Sequence, residues 1–268
     1  MTATVVRRGV DIAPYGELAD PGLLGDLAVH AEEAGYDGVF IWDHLGRLPA
    51  KRLDAVDTTV ALTVIAERTQ RVRFGALVTP LTRRRPQKFA RETVSLDHLS
   101  GGRLIVGVGL GVDHSLELSG FGDSNEVKVM AERLDEALEV VAALWSGREV
   151  HHRGAHFVAE GVTFTPVPVQ QRIPVWVGAN TARTGPMRRA ARWDGVVPNC
   201  DVDEAARMMS AIEARRGSLD GFDLVAMVRP GSPMQPWREL GATWIVDAFA
   251  EQTTEAEVRA VIADADLR

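Results

Sequence analysis

The chain has 268 residues, 46% of them hydrophobic, and a formal net charge of −7. That length suits one large α/β domain with a sizeable core, and the acidic balance argues against nucleic acid, whose phosphates need a basic face. No apolar run reaches the roughly 20 residues of a membrane span, and no apolar leader with a cleavage site opens the chain, so a soluble cytoplasmic protein is expected.

In chain order, short β-rich runs alternate with helical patterns. "RRGVDIA" is strand-like, and "LLGDLAVHAEEAG" sets Leu24, Leu27, Ala28 and Ala31 on one helical face and stops at Gly35. "DGVFIW" is a second strand; "DTTVALTVIAERT" is a second helix with Asp57 or Thr58 as its N-cap. "RVRFGALVT" is a third strand, followed by a helix that Pro86 opens and Gly101-Gly102 closes. "RLIVGVG" is the fourth strand. Leu134, Leu138, Val141 and Trp145 then recur at the spacing of a buried helix face.

"SGREVHHRGAHFVAEGVTFTP" alternates and turns on glycines, as an excursion of short antiparallel strands would. "IPVWVGA" with "MRRAARW", "DGVVP" with "DEAARMMSAIEARRG", "FDLVAMV" with a short turn at "PWRELG", and "ATWIVDAF" with "TEAEVRAVIADA" complete the series. Eight near-continuous apolar strands separated by helices predict a single-domain (β/α)8 TIM barrel over residues 1–268, with a short extra-barrel excursion after the fourth helix. An open doubly wound sheet is the competing architecture, but no glycine fingerprint follows the first strand.

In such barrels the C-terminal strand ends carry the chemistry. The second strand ends in Asp43-His44, an acid and an imidazole that are costly to desolvate without partners. His44 is a candidate proton donor, general base or ligand hydrogen-bonder; the plainer reading is a structural histidine paired with a nearby carboxylate. Asp43 would orient His44 or contact a cofactor. Gly107 and Gly109 would let a flat ligand approach the fourth strand closely. Gly178, Ala179, Asn180 and Thr181, ahead of a helix starting near Pro186, form either a phosphate cradle or an ordinary loop.

Arg83, Arg84, Arg85 and Lys88 oppose the dipole of the third helix. A bound anion would relieve that cost; a solvated helix start is the alternative. His151, His152 and His156 belong to the excursion and are expected in a solvated hairpin, so no metal site is assigned. Cys200, the single cysteine, excludes intrachain disulfides and thiolate metal cages and is expected as a packed or half-exposed thiol.

The blocks "GYDGVFIWDHL", "GALVTPLTRRRPQKFARETVSLDHLSGGRLIVGVGLG", "RLDEALEVVAALWSG", "VTFTPVPVQQRIPVWVGA" and "RRAARWDGVVP" together resemble the bacterial luciferase-like superfamily of flavin- and F420-dependent oxidoreductases. The resemblance implies a barrel that binds FMN, or the deazaflavin coenzyme F420, in its C-terminal mouth. It puts Asp43 and His44 beside the ring or substrate and a non-proline cis peptide near Ala76-Leu77. Thr79 would approach the ring or its ribityl chain, Gly107 and Gly109 would line the cofactor, and Gly178 to Thr181 would hold its phosphate. Val112 stands where many members have tryptophan, and the chain after Pro198 is short, so the substrate pocket departs from the family pattern.

The leading expectation is a monooxygenase that uses reduced FMN, supplied by a partner flavin reductase, and O2 on a small organic substrate. His44 would be its acid/base. The alternatives are an F420-dependent dehydrogenase or reductase and a non-catalytic flavin-binding barrel. The resemblance also implies a homodimer.

Overall fold

The computed structural model describes residues 6–46 and 53–264. Parallel strands form the wall of a barrel: β1 (Arg7–Ile12), β2 (Gly38–Ile41), β3 (Arg73–Ala76), β4 (Thr79–Pro80), β5 (Val106–Gly109), and, after a separate hairpin of β6 (Val150–Arg153) and β7 (Val158–Val162), β8 (Val175–Ala179), β9 (Gly195–Pro198), β10 (Asp223–Val228) and β11 (Trp244–Ala248). The sheet order is β3-β2-β1-β11-β10-β9-β8-β5-β4, and a parallel bridge between Phe74 and Leu104 joins its two ends. Nine strand segments fill eight barrel positions, because β3 and β4 are one expected strand broken by Leu77-Val78. The extra-barrel excursion is the antiparallel β6–β7 pair, outside the wall.

The helices are α1 (Pro21–Glu33), α2 (Thr58–Arg68), α3 (Pro86–Leu99), α4 (Val127–Trp145), α5 (Thr184–Ala190), α6 (Val202–Arg216), α7 (Gln235–Glu239) and α8 (Glu255–Ala263). Their starts follow local chemistry. Asp20, Asp57 and Asp201 each accept a hydrogen bond from the backbone N–H three residues on, and Thr254 forms a capping box with Glu257. α5 starts at Thr184, two residues earlier than the proline suggests, and α7 is a single short turn of helix. Among the described residues no helix is long and apolar enough to cross a membrane.

Strand alternation divides the interior into two cores. Val10, Ile12, Val39, Ile41, Val106 and Val108 face the helices and belong to the main cluster. Phe40, Leu77, Ile105, Trp176, Val197, Val225, Trp244 and Val246 fill the barrel lumen. Phe40, Trp176 and Trp244 touch one another at centroid separations of 5.4–5.8 Å and plug the barrel. Each such buried aromatic contributes about 2–3 kcal/mol by removal from water. The plug confines ligand chemistry to the C-terminal end, where the strand-to-helix loops gather. Cys200, just beyond β9, is a half-buried free thiol whose burial raises its pKa.

Candidate active site at the C-terminal rim

Because every barrel strand is parallel to its neighbours, Asp43-His44 after β2 and Gly178–Thr181 at the end of β8 lie at the same end of the barrel. Asp43 is buried, and its carboxylate is held by two guanidinium groups. Arg83 Nη2 donates to Oδ1 at 2.8 Å, and Arg84 Nη2 donates to both oxygens at 2.8–2.9 Å. Thr58, the first residue of α2, donates to the Trp42 carbonyl at 3.2 Å. The arginines are therefore engaged within the chain. Asp43, rather than a bound anion, relieves the cost of placing Arg83 and Arg84 beside the α3 N-terminus. Arg85 and Lys88 are exposed, and Lys88 pairs with Glu92.

Asp43 does not orient His44. The imidazole Nδ1 lies 3.1 Å from both carboxylate oxygens of Glu117, a residue that sequence reasoning missed. Glu117 Oε1 also accepts from the Leu45 and Gly46 backbone N–H groups at 2.9 and 3.2 Å, and Arg83 Nη1 stands 3.4 Å from Oε2. Burial alone would raise the Glu117 carboxyl. The hydrogen bond and charge of His44, with Arg83 and the Gly46 N–H, outweigh it and hold the group below its ordinary pKa. Asp113 positions this loop by accepting from the Leu118 and Ser119 N–H groups; hydrogen bonds from the Ser119 side chain and N–H, with those of Asn125 and Leu118, keep its carboxyl well below the usual range. The result is a chain of polar contacts, Arg84–Asp43–Arg83–Glu117–His44, buried in its middle and partly exposed at both ends.

The rings of Tyr15, Trp42 and His44 form a triangle with centroid separations of 6.0–6.3 Å. Beneath it, Trp42 Nε1 donates to Asp11 Oδ2 at 2.7 Å, while Asp11 Oδ1 has no partner among the described residues. Asp11 is fully buried, and burial pushes its carboxyl up to about 8. The signal was available: an acid inside the apolar run "VDIA" is anomalous. Glu117 gave no comparable signal, because its loop follows neither strand nor helix periodicity.

The glycine-rich strand ends have an explanation within the protein. The peptide Leu77-Val78 is cis, one bond later than the expected Ala76-Leu77, and the bulge fills the space beside the glycines. A Cβ on Gly107 would stand 2.2 Å from the Ala76 carbonyl oxygen, and one on Gly109 would stand 2.7 Å from Val78 Cγ2. One on Gly178 would meet that same methyl at 3.2 Å. On their side-chain sides these residues accommodate the bulge, and Gly107 also borders a small cavity. Leu77 joins the lumen cluster, and Val78 packs against it.

Thr79 and Ala76 instead line a cavity of about 30 Å³ between the strand ends and Leu62, Phe89 and Leu96 of α2 and α3. Thr79 therefore borders the space between the barrel wall and the helix layer. At the end of β8, Ala179 is buried, Asn180 exposed and Thr181 partly exposed. The next backbone N–H, of Ala182, is already taken by Glu204 Oε1 at 2.7 Å. A carboxylate thus occupies the α5 entrance that was expected to attract phosphate. In the hairpin, exposed His151 contacts Glu149 and Glu160, while His152 contacts Glu136 at 3.1 Å.

Residues 2–230 match the luciferase-like monooxygenase family. The chain belongs to that family. Among curated relatives, the F420-dependent glucose-6-phosphate dehydrogenase of Gordonia bronchialis is 34% identical over 165 residues, 61% of this chain and 48% of that protein. The chain spans about half the length of the curated relatives it matches in this group. Two solved structures share the luciferase-like fold at 18% identity. The coenzyme F420-dependent tetrahydromethanopterin reductase of Methanopyrus kandleri aligns with a TM-score of 0.76 over 96% of this chain and 97% of its own. A monooxygenase from Streptomyces bottropensis aligns with a TM-score of 0.77 over 97% and 98%.

Proposed function

We propose that this luciferase-like chain is an F420-dependent oxidoreductase acting on a small organic molecule at the C-terminal mouth of its barrel. The observation that carries the reading is His44, held at the rim by buried Glu117. The ring end of the site fits a flat heteroaromatic group: the Tyr15–Trp42–His44 triangle and Leu77 supply apolar walls, and Asp11 Oδ1 is a buried polar atom without a partner among the described residues. At the rim, exposed Asn180 and Arg183 are the side chains that would meet an anionic tail. When bound, F420 supplies two-electron redox chemistry.

The protein residues then have separable roles. His44 moves a proton at its Nε2, because Nδ1 is committed to Glu117. Glu117 sets the imidazole's tautomer and ring orientation through Nδ1. Asp43 holds Arg83, and Arg83 in turn reaches Glu117. Asp43 therefore acts on the site indirectly.

The expectation of reduced FMN and O2 has less support. The curated relatives at 30–34% identity include seven named for F420, and the likeness to a monooxygenase at 18% identity bears on fold alone. A non-catalytic flavin-binding barrel would have no use for an imidazole held by a buried carboxylate. Equilibrium titration of the purified chain with F420, FMN and reduced FMN tests the assignment. F420 should bind at micromolar concentration or tighter and at least tenfold more tightly than either form of FMN. The reverse order would sink the F420 reading.

A further inference from the structure

Asp11 is a fully buried carboxyl at the C-terminal end of β1 to which the roles above assign no chemistry. It lies one residue before the end of β1, in register with Phe40 of β2 and Ala248 of β11. Its neighbours Val10 and Ile12 face the helices, so alternation turns Asp11 into the lumen, on the side of Phe40. Oδ2 accepts from the Trp42 indole, and Oδ1 is buried without a partner among the described residues. A buried polar atom left unsatisfied costs free energy that a bound ligand would recover. Half-buried Trp42 links the two levels, its indole N–H on Asp11 Oδ2 and its ring against His44.

We propose that Asp11 Oδ1 is the deep anchor of the site, an O–H donor to a carbonyl oxygen or ring nitrogen of the bound cofactor ring. The inference rests on the F420 reading. A polyanionic tail must stay at the wet rim, so the flat aromatic ring, with far less localised charge, is the part that reaches the floor of the mouth. Asp11 suits this task as a neutral acid. Because Oδ2 is the acceptor for Trp42, the proton belongs on Oδ1, the free atom. Burial keeps it there to about pH 8. Ionisation above that pH removes the donor and puts negative charge against an acceptor atom.

The ionisable groups nearest on the packed elements are Tyr15, beyond β1, and His44, beyond β2, both in ring contact with Trp42. Asp247 of β11 pairs with Arg8 on the helix side of the wall.

The test compares F420 affinity of the full chain and of Asp11→Asn from pH 7 to 9.5. The asparagine keeps an acceptor for Trp42 and a donor for the ring, and it does not titrate. Taking the ratio of the two affinities removes every pH effect that does not pass through Asp11, the ligand's own included. The wild-type protein should lose affinity relative to Asp11→Asn by about tenfold per pH unit above pH 8. The visible absorption band of bound F420 should also differ between wild type and Asp11→Leu, which lacks the donor.

A ratio that stays flat overturns the proposal even if the leucine variant fails to fold. An identical bound-ring spectrum in a folded leucine variant does so as well. If wild type binds no F420 at all, the functional reading and this one fall together. Wild-type binding with a flat ratio removes the Asp11 role alone.

Discussion

At the level of single residues, the site depends on which carboxylate each cation meets. Glu117 is the junction, since it receives an imidazole, a guanidinium and two backbone N–H groups. Removing one partner of a buried pair is more damaging than never having built the pair, because the remaining charge stays desolvated. Glu117→Gln should therefore destabilise the fold by about 3 kcal/mol, measured by urea unfolding at pH 7. It should also lower turnover more than cofactor affinity, because the imidazole loses its fixed tautomer while the ring walls persist. A variant with wild-type stability and wild-type turnover would show that the Glu117–His44 contact is incidental.

Among the secondary elements, the bulge between β3 and β4 determines what its neighbours are. Two residues leave the ladder at Leu77-Val78, and β5 and β8 make room with Gly107, Gly109 and Gly178. The glycines and the bulge are thus one feature read from two sides. Gly107→Ala would force a methyl to within 2.2 Å of a backbone oxygen, which no rotamer change relieves. It should cost about 2–3 kcal/mol, as overpacking of a close backbone approach does. Gly185→Ala is the control. It lies in α5 with no atom within 4 Å of the added Cβ, and should be neutral or stabilising by up to about 1 kcal/mol. Equal losses in thermal unfolding for the two variants would contradict this account of the strand ends.

For the molecule as a whole, the two unusual carboxyl environments act on opposite arms of the stability curve. Glu117 is held below its ordinary pKa, so the stability it contributes is present above the unfolded value near 4.5 and lost as the pH falls. Asp11 is raised from 3.8 to about 8 in the folded chain. Its contribution is complete below pH 3.8 and is lost as the pH rises toward 8, because the unfolded chain releases a proton that the folded chain keeps. One such group gives a slope of about 1.4 kcal/mol per pH unit in that window. Denaturant unfolding from pH 5 to 8 should therefore show a falling wild-type stability relative to Asp11→Asn. Parallel curves would mean that Asp11 is ionised in the folded protein.

What was legible in the sequence followed from periodicity and punctuation. Eight apolar runs, the intervening helical faces and the caps at Asp57, Pro86 and Gly35 depend on residues close together in the chain, so local order carries them. Asp43-His44 at the rim followed from strand polarity alone.

The partners did not follow, because they come from other loops: His44 and Glu117 are 73 residues apart, and Asp43 and Arg84 are 41 apart. Linear reading could note three arginines and an acid, but only the closed barrel brings those particular groups within hydrogen-bonding distance. The glycines show the same division. Their positions are plain in the sequence, yet whether they face a ligand or a neighbouring strand is decided by which backbone the closed barrel presses against them.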